Sequence, residues 1–167
     1  MSQKGHGRRR TVLTKPLTAE EFEALASEGV PYVGLLGVRV ERFEPGQVEV
    51  RLPFREMLVR PGGTICGPAM MALADIALYG VVLSLVGRVE LAVTTDLNIH
   101  FLRKPRPGDL LARGRILRLG RTLAVGEVEI TAVGDAQPVA HATGTYILPR
   151  EPVAVADGTG RGEERNG

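Results

Sequence analysis

From Pro68 to Val86 the chain reads PAMMALADIALYGVVLSLV, nineteen residues with a single charged side chain, Asp75. Its Ala, Met and Leu content favours helix, and Pro68 suits a first helical turn, where no backbone N–H is needed. A helix this long and apolar also meets the length criterion for a membrane span. An aspartate near its middle, a glycine at position 80 and amphipathic segments on both sides point instead to a helix enclosed by a sheet. Most of its circumference must then be covered by other elements.

The flanking segments supply that cover. Thr18 precedes AEEFEALASEG with Glu21 three residues on, a capping-box pattern that opens a short peripheral helix which Gly29 is expected to stop. Val38 to Phe43 and Val48 to Leu52 read as a hairpin around Glu44-Pro45-Gly46, because Val48, Val50 and Leu52 alternate with Glu49 and Arg51. Met57 to Gly63 reads as a loop. Beyond the apolar helix, strands are expected over Leu91 to Leu102, Leu110 to Leu119, Leu123 to Val133 and Val139 to Leu148, with turn residues at the breaks. One helix, two strands, a long apolar helix and four strands describe an α+β fold, a curved antiparallel sheet wrapped around one central helix.

Length and composition fit a single soluble domain. The chain has 167 residues, 44% of them hydrophobic and 24% charged, near the globular average. Lys plus Arg is 21 against Asp plus Glu 19, an excess too small to point to nucleic acid. Residues 1 to 16 and 149 to 167 read as tails, the first basic and the second rich in Gly, Pro and charge, around a domain over residues 17 to 148. One cysteine excludes an intrachain disulfide framework. The basic N-terminus has no apolar stretch behind it, so a cytoplasmic location is expected. His6, His100 and His141 lack metal-ligand spacing.

The segment Gly63-Thr64-Ile65-Cys66-Gly67-Pro68, with Ala69 to Asp75 after it, resembles the hotdog-fold thioesterases of the PaaI-like branch. Their signature is a His-Gly-Gly ahead of a buried helix, with an Asp nine residues after the His. Here Cys66 stands at the His position, Gly67 at the first Gly and Pro68 at the second, and Asp75 falls on the carboxylate. The likeness continues through Thr94 to Arg103, Pro107-Gly108, Gly120-Arg121 and Ala142 to Thr145, covering residues 32 to 148. It implies hydrolysis of acyl-coenzyme A thioesters without a metal, coenzyme A being part of the substrate and no separate cofactor being used.

The resemblance assigns roles that the chemistry can bear. A thioester carbonyl gathers negative charge as it is attacked, and an unpaired N–H at a helix start can stabilise it. Gly67 is the candidate donor, and Asp75, the one acid of the helix, would attack the carbonyl or activate water. Thr94 matches a position where a hydroxyl assists the water. Cys66, with no His nearby in sequence to activate it, reads as a structural thiol beside the substrate. Arg60 replaces an Asn usual six residues before the His and could meet a substrate carboxylate. Arg103 and Arg121, with Lys104 and Arg106, are candidates for the coenzyme A phosphates, and Met70, Met71 and Tyr79 for walls of an acyl tunnel.

Eight residues of helix separate Gly67 from Asp75 by about 12 Å, too far for both to act on one carbonyl. A two-fold axis setting two such helices antiparallel would bring Gly67 of one copy to Asp75 of the other. A homodimer is therefore expected, and the resemblance implies that dimers pair into tetramers. The alternatives are a non-catalytic acyl-CoA-binding hotdog protein and an acyl hydratase. The Asp and His pair usual in hydratases of this fold is not found in this sequence.

Overall fold

A computed structural model describes residues 16–149. Nearly all of both expected tails lies outside the described residues. The first helix, α1 (Ala19–Gly29), begins as its capping box dictates: the Thr18 hydroxyl accepts the Glu21 N–H at 3.2 Å, and the Glu21 carboxylate accepts the Thr18 N–H at 2.9 Å. Phe22 and Ala26 are its buried residues. Its end departs from expectation. The chain leaves the helix at Val30, which is extended, and α2 (Pro31–Leu36) starts at once. A residue before proline is pushed out of the helical region, so Pro31 rather than Gly29 terminates α1. Gly37, at φ 65°, then closes α2 in a left-handed conformation that glycine adopts freely.

Six strands form one antiparallel sheet. They are β1 (Arg39–Glu44), β2 (Gln47–Leu52), β5 (Val93–Phe101), β6 (Leu110–Leu119), β7 (Leu123–Ala132) and β8 (Pro138–Ile147), in the order β1-β2-β6-β7-β8-β5. The expected strands are all present to within two residues at each end. A loop expected between β2 and the central helix instead contains a 3-10 turn (Glu56–Leu58) and a small hairpin of β3 (Val59–Arg60) and β4 (Thr64–Ile65).

The central helix, α3 (Gly67–Val86), crosses the inner face of the sheet. Among the described residues it is the one helix long and apolar enough to cross a membrane, and 72% of its most apolar window is buried by the rest of the fold. Val48, Val50 and Leu52 of β2, Val128 and Ile130 of β7, and Ala140, Ala142 and Tyr146 of β8 share its core. Gly126 and Gly144 are cross-strand neighbours, and a Cβ at Gly144 would stand 2.7 Å from Leu78 Cδ1. This close approach seats α3 on β7 and β8. Asp75 lies one turn before Leu78 on that helix face, and Tyr146 lies two residues beyond Gly144 on the same face of β8. The packing that fits Leu78 over glycine therefore carries Asp75 to Tyr146.

Candidate active site

Asp75 is half-buried, and its carboxylate is held by two hydroxyls. Thr94 donates to Oδ1 at 2.8 Å. The Tyr146 phenol reaches the same Oδ1 at 2.6 Å and lies 3.1 Å from the Asp75 main-chain oxygen. Thr94 and Tyr146 are cross-strand partners of β5 and β8, so the two hydroxyls stand side by side. Among the described residues no donor reaches Oδ2. Burial is the main cause that pushes the Tyr146 phenol far above its ordinary value, and the charge of Asp75 and its hydrogen bond add to the rise. The phenol is thus a neutral donor.

A β-bulge makes this arrangement possible. The β5–β8 register shifts between Thr94 and Asp96, and Thr95, at the shift, spends its hydroxyl on the Thr145 carbonyl at 3.1 Å. Counting back in steps of two from Leu97 and Ile99 would have put Thr95 on the inner face and Thr94 outside. The extra residue reverses that and aims Thr94 at Asp75.

Gly67, the first residue of α3, has an N–H without an intrahelical acceptor. Cys66 is the N-cap and makes no side-chain capping bond. Its own N–H is tied to the Leu58 carbonyl at 2.8 Å, and the residue is half-buried against the core. Gly67 is crowded by its own chain, because a Cβ there would lie 3.3 Å from the Phe101 ring, closer than ordinary contact. Phe101, half exposed at the end of β5, is an aromatic at the helix tip that the sequence reading did not single out.

The other candidates divide between the two ends of the molecule. Arg60 is exposed on β3, in the hairpin that leads into α3. Arg103 follows Phe101 and is committed within its own chain, donating to Asp135 at 3.0 Å, to the Gln137 carbonyl at 2.5 Å and to the Pro138 carbonyl at 3.2 Å. With Lys104 and Arg106 it borders a groove of about 490 Å3. Arg121 is exposed in the β6–β7 turn, next to the row Leu123, Ile147 and Val93. One end of the sheet thus gathers Arg60, Cys66, Gly67, Phe101 and Arg103, and the other Asp75, Thr94, Tyr146 and Arg121. Of the expected tunnel residues, Met70 is buried and Met71 exposed. Tyr79 lies between Phe22, tilted against it at 5.9 Å, and Tyr146, stacked on it at 6.1 Å, so it packs the core. No group of three or more His, Cys, Asp or Glu side chains among the described residues could hold a metal ion.

Comparison with known proteins decides the family. Residues 62–139 match the thioesterase superfamily model. A Halobacterium salinarum protein provisionally named an esterase is 34% identical over 137 residues, which span 75% of this chain and 90% of that protein. The chain belongs to the thioesterase superfamily. Its fold is shared by a Silicibacter protein provisionally named a thioesterase, at 40% identity and a TM-score of 0.74, covering 82% of this chain and 95% of that one. A mutant of the phenylacetic acid degradation protein PaaI from Thermus thermophilus aligns with a TM-score of 0.65 and 27% identity, over 72% of this chain and all of that one. The hotdog architecture and the PaaI-like resemblance read from the sequence therefore hold. Within this superfamily member the acid and its two hydroxyls form a preassembled group, while the helix tip stands apart from it.

Proposed function

We propose that the protein hydrolyses acyl-coenzyme A thioesters at two equivalent sites, each shared by two protomers of a homodimer. The observation that carries this reading is the division of the machinery: an ionisable acid oriented by two hydroxyls at one end, and an uncapped helix start with a free glycine N–H at the other. A thioester carbonyl bound at Gly67 of one protomer would meet Asp75 of its partner. Asp75 Oδ2 either takes a proton from water, whose oxygen then attacks the carbonyl carbon, or adds to that carbon itself and is later released by water. In both routes the carbonyl oxygen becomes an oxyanion facing the Gly67 N–H and the positive end of α3. The C–S bond then breaks, and the thiolate leaves with a proton as free coenzyme A.

The edge strand β5 supports the shared site. Among the described residues one side of it is unpaired, and it carries both Thr94, at the acid, and Phe101, at the helix tip. A partner docked along β5 would cover the free edge and touch both half-sites. The same two-fold relation would bring the Arg103 end of one protomer to the Arg121 end of the other, where coenzyme A phosphates could be met. Pairs of such dimers would give the tetramer. The reading carries a cytoplasmic location, where the lone thiol stays reduced.

The decisive experiment is thiol release from a panel of acyl-CoAs by wild type and Asp75→Asn. Loss of about 100-fold or more in kcat is expected for the variant. Equal release would remove Asp75 from the mechanism, and tight acyl-CoA binding without turnover in either protein would favour a binding role.

A further inference from the structure

We infer that Tyr146 is a positioning residue for Asp75, which with Thr94 fixes the carboxylate by Oδ1 and leaves Oδ2 as the oxygen that acts on the thioester. This rests on the thioesterase reading above and goes beyond it by naming the reactive oxygen and the group that selects it. Three observations carry it. Both hydroxyls converge on one oxygen, at 2.8 and 2.6 Å, and none reaches the other. The two donors are cross-strand partners, so backbone pairing fixes their spacing. The Tyr146 ring cannot swing away: the residue is 3% exposed and stacks on Tyr79, which in turn packs on Phe22.

A lone carboxylate on a helix can rotate about its final torsion and offer either oxygen. Two donors on Oδ1 remove that freedom, so a fixed lone pair on Oδ2 faces whatever binds above it. A threonine hydroxyl alone would be a weaker clamp, since it can turn to other acceptors. The phenol has one proton, and its ring direction is set by packing. The groups facing the carboxylate from β5 and β8 are these two hydroxyls, and the other titratable side chain acting on Tyr146 is Tyr79 of α3.

Tyr146→Phe removes the one hydroxyl and keeps the ring stack. It should lower kcat by about 10- to 100-fold with KM changed less than about twofold. Thr94→Ala should act in the same direction, and Thr94→Ser should restore most of the rate. A readout independent of turnover is the carboxyl 13C resonance of Asp75, assigned by its loss in Asp75→Asn. In Tyr146→Phe it should move from its wild-type position, because the carboxylate loses one of its two donors. Unchanged kcat and an unmoved carboxyl resonance in Tyr146→Phe, with Asp75→Asn inactive, would overturn the inference and leave the thioesterase reading standing. A wild type without thioesterase activity would sink that reading, and the carboxyl resonance would still decide whether Tyr146 holds Asp75.

Discussion

Asp75 sits in a nest closed by its own chain, whereas Gly67, about two turns earlier on the same helix, is left open. The acid has two hydroxyl donors drawn from paired strands and a stacked ring behind one of them. The glycine has a bare helix start, a proline after it and a half-exposed phenylalanine beside it. The difference teaches where preorganisation is needed. If Asp75 acts on the thioester as proposed, a carboxylate that must stay aimed requires fixed partners before substrate arrives. An N–H that is to bind a developing oxyanion must have no partner until then.

If the two half-sites belong to different protomers when they act, lesions in each should complement. Gly67→Pro deletes the N–H at a position where proline is favoured, with Cys66 already extended at ψ 152°, and the Phe101 ring, 3.3 Å from a Cβ there, must give by a few tenths of an ångström. Alone it should lower kcat by about 100- to 1,000-fold. Co-refolding it with Asp75→Asn should restore about a quarter of wild-type activity, because half of the dimers are mixed and each mixed dimer has one intact site. Activity no higher than that of the two variants alone would mean that both groups serve one chain.

The closed half-site depends on close packing that the open one does not need. Gly144→Ala would press a methyl group to 2.7 Å from Leu78 Cδ1 and 2.9 Å from the Asp96 carbonyl oxygen. Leu78 can turn its side-chain end away, but the Asp96 carbonyl belongs to the backbone, so the β5–β8 pairing must shift, at a cost of about 1–3 kcal/mol measured by urea unfolding. Because those strands carry Thr94 and Tyr146, kcat should fall with stability. A fully stable Gly144→Ala variant would mean that the nest tolerates movement.

Much of this was legible in the sequence. The apolar helix, the hairpin around Pro45 and the later strands follow from periodicity and turn residues, and Gly67, Asp75 and Thr94 followed from the resemblance. Tyr146 was not seen, although it sits in the matching stretch directly after Thr145. An aromatic near the end of a strand reads as core, and only cross-strand register shows which hydroxyl it stands beside. The bulge at Thr95 was hidden for a similar reason, since simple alternation faces Thr95 inward. Phe101 closed a run of strand residues without signalling that the helix tip lay against it. Basic turn positions alone do not show where Arg103 and Arg121 stand: strand order puts them at opposite ends of one protomer, and Arg103 is tied to Asp135.

The smallest expected effect separates the nest from the rest of the fold without any substrate. In the unfolded chain Tyr146 titrates near the ordinary tyrosine value of about 10, while in the folded protein burial and Asp75 raise it well above that. Below pH 10 both states keep the proton, and the contribution to stability is complete. As the pH rises through 10, the unfolded chain loses its proton and the folded one cannot, so the unfolded state binds fewer protons and stability falls. For one group the limiting slope is about 1.4 kcal/mol per pH unit. Tyr146→Phe removes that slope and keeps those of the other titrating groups, including Tyr79, whose phenol burial also raises. Unfolding free energies measured between pH 9 and 11 should therefore decline less steeply in the variant than in wild type. Parallel curves would show that the phenol is free to ionise, and that the closed half-site opens in solution as readily as the helix tip.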